Sequence, residues 1–264
     1  MGSTHGLRHS GATGPDALTL CMRRPGDIVP TMQSRPIHTG IFHEGDDLVS
    51  FITQALPEVP EHSIIAIASK IVALAEGRTV PLTTQRAKNE RIQSESDAAL
   101  KTKYVWLTRK DGMLMANAGI DESNANKKLV LLPKDSYASA AELHKKLKKV
   151  YGRKKLGVLI TDSCPLPLRA GVTGSALGYA GFTGLREYAG KKDLFGRSLR
   201  MTRTNLADGL AATAGILMGE GNERQPLVLI TGAPVTFTSR HPNRELIMPA
   251  KEDMYYPLFK NAGF

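Results

Sequence analysis

Cysteine is scarce: the chain holds two, Cys21 and Cys164. Neither their number nor their spacing makes a disulfide framework or a zinc-ligand pattern. Aromatic residues are also few, 6% of the total with a single Trp106. Too few are interleaved with the basic residues to read as a nucleic-acid interface. No apolar run nears the roughly 20 residues of a membrane span. Residues 17–22 are too short for a secretory core, and no small-residue cleavage site follows them. These absences make a cytoplasmic protein with no membrane partner and no specific nucleic acid the expectation. Common nucleotide signatures are missing too. There is no Gly-x-x-x-x-Gly-Lys-Ser/Thr loop, and Gly219-Glu-Gly-Asn-Glu-Arg224 lacks the last glycine of a dinucleotide fingerprint.

What is present suits a globular protein. Hydrophobic residues make up 41% and charged residues 23% of the 264 positions, enough to bury a sizeable core. The formal charge is +10, from 35 Lys and Arg against 25 Asp and Glu. Such a surface attracts anions, although a solvated basic face explains it equally. Residues 1–30 are rich in Gly, Ser, Thr, Pro and His without a sustained period, and read as a disordered extension. Cys21 falls there, which argues against pairing with Cys164. Residues 31–264 read as one catalytic domain.

Strand and helix patterns alternate along that domain. Leu48, Val49, Ile52, Ala55 and Leu56 recur at helical spacing and stop at Pro57. Residues 63–68 read as a buried strand, with Ser69 capping a turn that ends at Gly77. Strands are predicted over 104–107 and 113–116, joined by an Asp111-Gly112 hairpin, and over 128–132. Asp135 or Ser136 caps a helix that buries Ala140, Leu143, Leu147 and Val150 and exposes a lysine-rich face. Residues 156–161 form an apolar strand leading into Asp162. Thr204 or Asn205 caps a helix ended by Gly219 and Gly221, and residues 227–230 are a last central strand. The mixture predicts an α/β or α+β class.

Four constellations could carry chemistry. In Ala116-Asn-Ala-Gly-Ile-Asp-Glu-Ser-Asn124, small residues permit close backbone approach and Asp121 offers a hard oxygen suited to Mg²⁺ or Mn²⁺. An Asx-turn loop is the alternative. Asp162 and Ser163 lie at the end of an apolar strand, where α/β proteins gather ligands; a turn cap is the alternative. Glu220, in Met218-Gly-Glu-Gly-Asn-Glu223, could serve a second ion, or could belong to an exposed loop after a glycine cap. Arg169 could clamp a phosphate or carboxylate beside a glycine-rich run through Gly174, Gly178, Gly181 and Gly184, although tight packing explains those glycines as well. Trp106 is expected in the core. Cys164 has no neighbouring His in sequence to make it a nucleophile.

Together these stretches resemble the coenzyme F420-0:L-glutamate ligase family. The matching segments run in order: Glu44-Gly-Asp-Asp-Leu48, Ala68-Ser-Lys70, Ala75-Glu-Gly77, Glu95-Ser-Asp97, the run 116–124, Ile160-Thr-Asp-Ser163, Gly171-Val-Thr-Gly174, Asp193-Leu-Phe-Gly-Arg197 and Met218-Gly-Glu220. The resemblance covers roughly residues 35–235. It implies an intertwined, mixed-sheet α+β fold, a homodimer, and a site for GTP or ATP with divalent metal (Mg²⁺ or Mn²⁺). It implies Asp121 and Asp162 as ligands of one metal and Ser163 and Glu220 as ligands of a second. Ser69, Lys70, Asn124, Met218, Gly219, Gly221, Asn222 and Glu223 match nucleotide-contacting positions, as does the more divergent region 37–40. The implied catalytic residues are Asp121, Asp162 and Arg169. The implied reaction activates a carboxylate as an acyl phosphate and joins L-glutamate to it.

Two departures stand out. The family resembles Thr-Phe-Gly-Arg-Pro-Trp-Arg after the second aspartate, whereas this chain has Ser163-Cys-Pro-Leu-Pro-Leu-Arg169. A nucleotide-contacting lysine of the family falls on Leu74. The chain is similar to a bacterial branch described as folate-metabolism γ-glutamate ligases, which makes a deazaflavin precursor or a folate the expected acceptor. A non-catalytic pterin- or deazaflavin-binding protein of the same fold is the alternative that the altered segment 164–168 raises.

Overall fold

The apolar strands predicted at 63–68, 156–161 and 227–230 are continuous hydrophobic runs, so they must be covered on both faces. The computed structural model places all three side by side in one sheet. It describes residues 31–123, 125, 127–240 and 244–260. The expected extension over residues 1–30 and the candidate Asn124 lie outside the described residues.

In chain order the elements are β1 (Gln33–Ile37), α1 (Leu48–Ala55), β2 (Ser63–Ala68), α2 (Ser69–Ala75), β3 (Thr79–Pro81), α3 (Gln85–Ser94), β4 (Ala98–Lys101), β5 (Trp106–Lys110) and β6 (Met113–Ala116). Then come β7 (Lys128–Val130), α4 (Ser136–Tyr151), β8 (Leu156–Pro165), β9 (Val172–Ala180), β10 (Leu185–Glu187), β11 (Arg203–Asn205), α5 (Leu206–Met218), β12 (Leu227–Thr231) and α6 (Tyr256–Phe259). The central sheet has the order β1-β12-β2-β8-β9. Only β2 and β8 run parallel; the other neighbours are antiparallel. Small sheets β3-β7 and β4-β5-β6 stand apart from it. This is an α+β fold with a mixed sheet. No helix among the described residues is long and apolar enough to cross a membrane.

Alternation along the strands divides the core. Ile65, Ile67, Val158, Ile160, Leu227 and Leu229 pack with α1, α2 and α4 on one face. Ile64, Ala66, Leu159, Val228 and Ile230 pack with Ala207, Leu210, Ala211 and Ala214 of α5 on the other. A third cluster, Ile92, Ala118, Ile120, Leu129 and Leu131, closes the smaller sheets. Each buried aliphatic side chain contributes about 1.5–3 kcal/mol relative to exposure, so both layers are needed to hold the sheet.

Two helix caps, Asp135 and Asn205, fall among the side chains expected, and Asp47 supplies a third that the sequence pattern left unassigned. The Asp47 carboxylate accepts from the Ser50 N–H at 2.7 Å, Asp135 accepts from the Tyr137 and Ala138 N–H groups at 3.1 Å, and Asn205 accepts from the Asp208 N–H at 3.0 Å. Several expectations shift. Ser69 does not cap: Ala68 is the N-cap of α2 without a side-chain bond, and Ser69 is its first residue. The strand expected at 104–107 begins at Trp106, because Thr102 accepts from Val105 in a turn just before it. The strand expected over 128–132 ends at Val130. Val150 is exposed, so α4 buries Ala140, Leu143 and Leu147 without it. Trp106 is half-buried and donates its indole N–H to Asn89 at 3.2 Å. Helix α3 gave no apolar period because Ile92 is its one buried residue.

The glycine-rich run is half strand, with Gly181 and Gly184 in the connection between β9 and β10. Gly174 and Gly178 lie within β9, where a Cβ would overlap the backbone of Ala211 in α5 and of Ser136 in α4 respectively. They face opposite layers despite their even spacing. The reason is a bulge: Ile160 pairs with Gly178 but Thr161 pairs with Ala176, leaving Leu177 as the extra residue.

Candidate active site

The parallel register of β2 and β8 sets the geometry. Ala68 pairs with Thr161, so Ser69 and Asp162 are the next residues on adjacent chains. The buried Ser69 hydroxyl donates to Asp162 Oδ1 at 2.8 Å. Asp162 lies inside β8 rather than beyond its end, since the strand continues to Pro165. On the next residue of α2, the Lys70 ammonium sits 2.6 Å from Asp121 Oδ2. It also donates to the Ser123 carbonyl at 3.0 Å and to Ser123 Oγ at 3.1 Å. Two adjacent side chains of α2 thus hold two aspartates from distant parts of the chain.

The segment bearing Asp121 is held by unusual backbone. Asn117, Ala118 and Gly119 have φ of 53°, 56° and 69°, a left-handed run that needs small or turn-favouring side chains. The Asn117 side chain accepts from the Trp106 N–H at 3.0 Å, and the Ala118 N–H donates to buried Thr108 Oγ1 at 2.8 Å. Ala118 is buried and a Cβ on Gly119 would meet Leu132. At Ala118 and Gly119 small residues therefore serve inward packing. Asp121 itself bridges to Val130 through two backbone bonds of 3.0 and 2.8 Å. Its Oδ1 accepts from the Ser123 N–H at 2.7 Å, the geometry of an Asx-turn, and Oδ2 accepts from Ser123 Oγ at 2.7 Å.

The two carboxylates differ electrostatically. Burial pushes the Asp121 carboxyl up, but hydrogen bonds from Lys70 and Ser123 and the Lys70 charge outweigh it and hold the group below its ordinary value. For Asp162 burial dominates and the Asp121 charge adds to it. Its carboxyl is pushed up to about 6 despite the bonds from Ser69 and the Ser163 N–H and the Lys70 charge. A deeply placed carboxylate beside a second carboxylate is poorly compensated as an anion.

The neighbouring residue points the other way. Asp162 shares its face with Val158, Ile160 and Cys164, whereas Ser163 faces the α5 side. There Ser163 Oγ donates to Glu220 Oε1 at 2.6 Å. Glu220 follows Gly219, which ends α5 at φ 76°. Glu223 turns back to accept from the Gly221 N–H at 2.8 Å. The Thr39 N–H donates to the Arg224 carbonyl at 2.9 Å, and the Ala68 N–H to the Pro226 carbonyl at 2.9 Å. Residues 37–40, 69–70 and 218–225, which the resemblance matches to nucleotide-contacting positions, therefore converge on one end of the sheet. Met218 packs against the α5-side core, and Asn222 is exposed. Arg169 is not drawn in: it lies in the exposed turn after β8, and no ion pair holds it among the described residues. Cys164 is buried and its thiol is pushed up to about 12 by burial and then by the Asp162 charge, which makes it inert.

Among the described residues no three His, Cys, Asp or Glu side chains form a ready-made metal cage. The donors that do gather, Asp121 with Asp162 and Ser163 with Glu220, are all hard oxygens, and this set fits a divalent cation such as Mg²⁺ or Mn²⁺. Sequence reasoning missed three supports. Ser123 donates two hydrogen bonds to Asp121, and its signal is the Asp-x-Ser pattern itself. Thr108 braces the left-handed run. Asp208 accepts from the Ala176 N–H at 2.7 Å at the bulge beside Asp162.

Comparison with known proteins places the chain in a family. The family profile described as F420-0:Gamma-glutamyl ligase matches residues 36–232. Among similar proteins, a coenzyme F420:L-glutamate ligase of Methanococcus maripaludis is 37% identical over 213 residues, covering 74% of this chain and 85% of its own. The protein of the same name from Methanocaldococcus jannaschii is 32% identical over 233 residues, covering 81% and 93%. That from Methanothermobacter thermautotrophicus is 35% identical over 213 residues, covering 72% and 84%. The matched region spans the central sheet and every carboxylate of the site, so the chain belongs to the F420-0:gamma-glutamyl ligase family.

Proposed function

We propose that this chain is a nucleotide- and metal-dependent glutamate ligase that activates an acceptor carboxylate as an acyl phosphate and joins L-glutamate to it as an amide. The observation that carries the reading is the pairing of Asp121 and Asp162, 41 positions apart in the numbering, against Ser69 and Lys70 of one helix turn. The names of the similar proteins, each a coenzyme F420:L-glutamate ligase, support the amide-forming class.

In this reading Asp121 and Asp162 would hold one ion, and Ser163 and Glu220 a second. Bound there, divalent metal supplies charge neutralisation to the phosphates. The remaining work falls to the chain. Residues 37–40, 68–70 and 218–226 frame the nucleotide, with GTP or ATP as co-substrate. Lys70 presents a fixed cation beside the phosphates. An acceptor carboxylate oxygen attacks the γ-phosphorus and the bond to the nucleoside diphosphate breaks. The glutamate amine then attacks the acyl carbon, inorganic phosphate leaves, and the amine sheds a proton. The acceptor is the F420 precursor or a folate, with the divergent segment 163–169 in position to discriminate between them. The reading includes a cytoplasmic homodimer. Exposed Leu194, Phe195 and Met201, between β10 and β11, are apolar surface for a second copy to cover.

The test is phosphate release that requires protein, metal, nucleotide, glutamate and acceptor together, with product masses read in parallel for folate and F420 precursor. Asp121→Asn and Asp162→Asn should each lower the rate by at least about 100-fold, the scale on which removed electrostatic stabilisation acts. Undiminished release in both variants would sink the assignment.

A further inference from the structure

Ser69 is one residue too late to cap its helix. Ala68 occupies the N-cap position without a side-chain bond. The Ser69 hydroxyl is buried and is spent on Asp162, 93 residues away in the chain, at 2.8 Å. The β2–β8 register makes the two residues neighbours, so the contact follows from sheet pairing and not from a chance rotamer. With Oδ1 held by that hydroxyl, the plane of the carboxylate is fixed. The resemblance to the family places Ser69 among nucleotide-contacting positions, and its hydroxyl also holds a carboxylate.

We propose that Ser69 is a positioning residue whose hydroxyl orients the Asp162 carboxylate to receive a divalent cation. This rests on the metal reading given above. A ligating carboxylate that loses its hydrogen-bonded support typically binds metal about 10–100-fold more weakly. Adjacent residues of α2 divide the task, Ser69 holding Asp162 and Lys70 holding Asp121.

The experiment strips the full-length protein with EDTA and titrates it with Mn²⁺ alone, reading free Mn²⁺ by electron paramagnetic resonance. Circular dichroism melts verify that each variant is folded. Ser69→Ala should bind Mn²⁺ at least about 10-fold more weakly, while Ser69→Thr, which keeps the hydroxyl, stays near the parent. Asp162→Asn serves as the reference. If Asp162→Asn loses Mn²⁺ binding and Ser69→Ala keeps it, the positioning role is overturned and the metal site stands. If Asp162→Asn also binds as the parent does, the metal reading fails and takes the proposal with it.

Discussion

Asp162→Asn should stabilise the metal-free protein at neutral pH while disabling it. Burial, with the Asp121 charge adding to it, pushes the Asp162 carboxyl up to about 6, whereas an unfolded aspartate titrates near 4 (about 3.9). The folded chain therefore holds this proton more tightly than the unfolded chain does. Stability from this group is complete below about pH 4, falls between about pH 4 and 6, and levels off above that. At about 1.4 kcal/mol for each tenfold step, the loss reaches about 3 kcal/mol at pH 8. Asparagine has the same shape without the charge, and its Oδ1 can still accept from Ser69. The value of about 6 is already net of the bonds from Ser69 and the Ser163 N–H, so the gain at pH 8 should approach that figure of about 3 kcal/mol. Urea unfolding in EDTA at pH 8 and pH 4 reads it directly. The variant should be more stable at pH 8, and the difference should vanish or reverse at pH 4. A variant no more stable than the parent at pH 8, or a gain that persists unchanged into acid, would refute the reasoning.

Glu95 receives the Arg78 guanidinium at 2.8 Å and the Lys110 ammonium at 3.2 Å. Burial pushes its carboxyl up, but these two cations outweigh it and hold it below its ordinary value. Glu95→Gln should cost about 2–3 kcal/mol at pH 7. A lowered carboxyl contributes stability that is lost as pH falls through its folded value, so the difference should shrink in denaturation below about pH 4. Gly178→Ala should lower stability by about 3 kcal/mol or prevent folding, because its Cβ overlaps the Ser136 backbone. Gly209→Ala, on α5 with open space around the added carbon, should raise the melting free energy by about 0.5–1 kcal/mol. Leu74 packs against the core where the family resemblance placed a nucleotide-contacting lysine. Competition assays should find ATP accepted alongside GTP, and strict GTP dependence would contradict this.

Much of the site was legible as residue identity but not as contact. Asp121, Asp162, Ser163 and Glu220 were singled out from small-residue loops and a strand end, and the structure pairs them two by two. Their supports were not legible, because Ser69, Lys70 and Thr108 act across 93, 51 and 10 positions respectively. A hydroxyl that could cap a helix and one that holds a carboxylate look identical in a sequence. The glycines 174 and 178 show the same limit. Their packing role depends on a bulge at Leu177, and an extra residue in a strand leaves no period-two signature that a single sequence reveals.

By itself the sequence determined the local order: the continuous apolar strands, the caps at Asp135 and Asn205, and the ordered run of segments that resembles the ligase family. These depend on short-range sterics and hydrogen bonding, which a window of a few residues contains. Only the tertiary structure decided which side chains meet. Parallel pairing of β2 with β8 sets Ser69 against Asp162. Alternation along β8 sends Asp162 and Ser163 to opposite faces, and so divides the candidate metal donors into two pairs. Strand order and register are non-local choices, fixed by burial of both sheet faces at once.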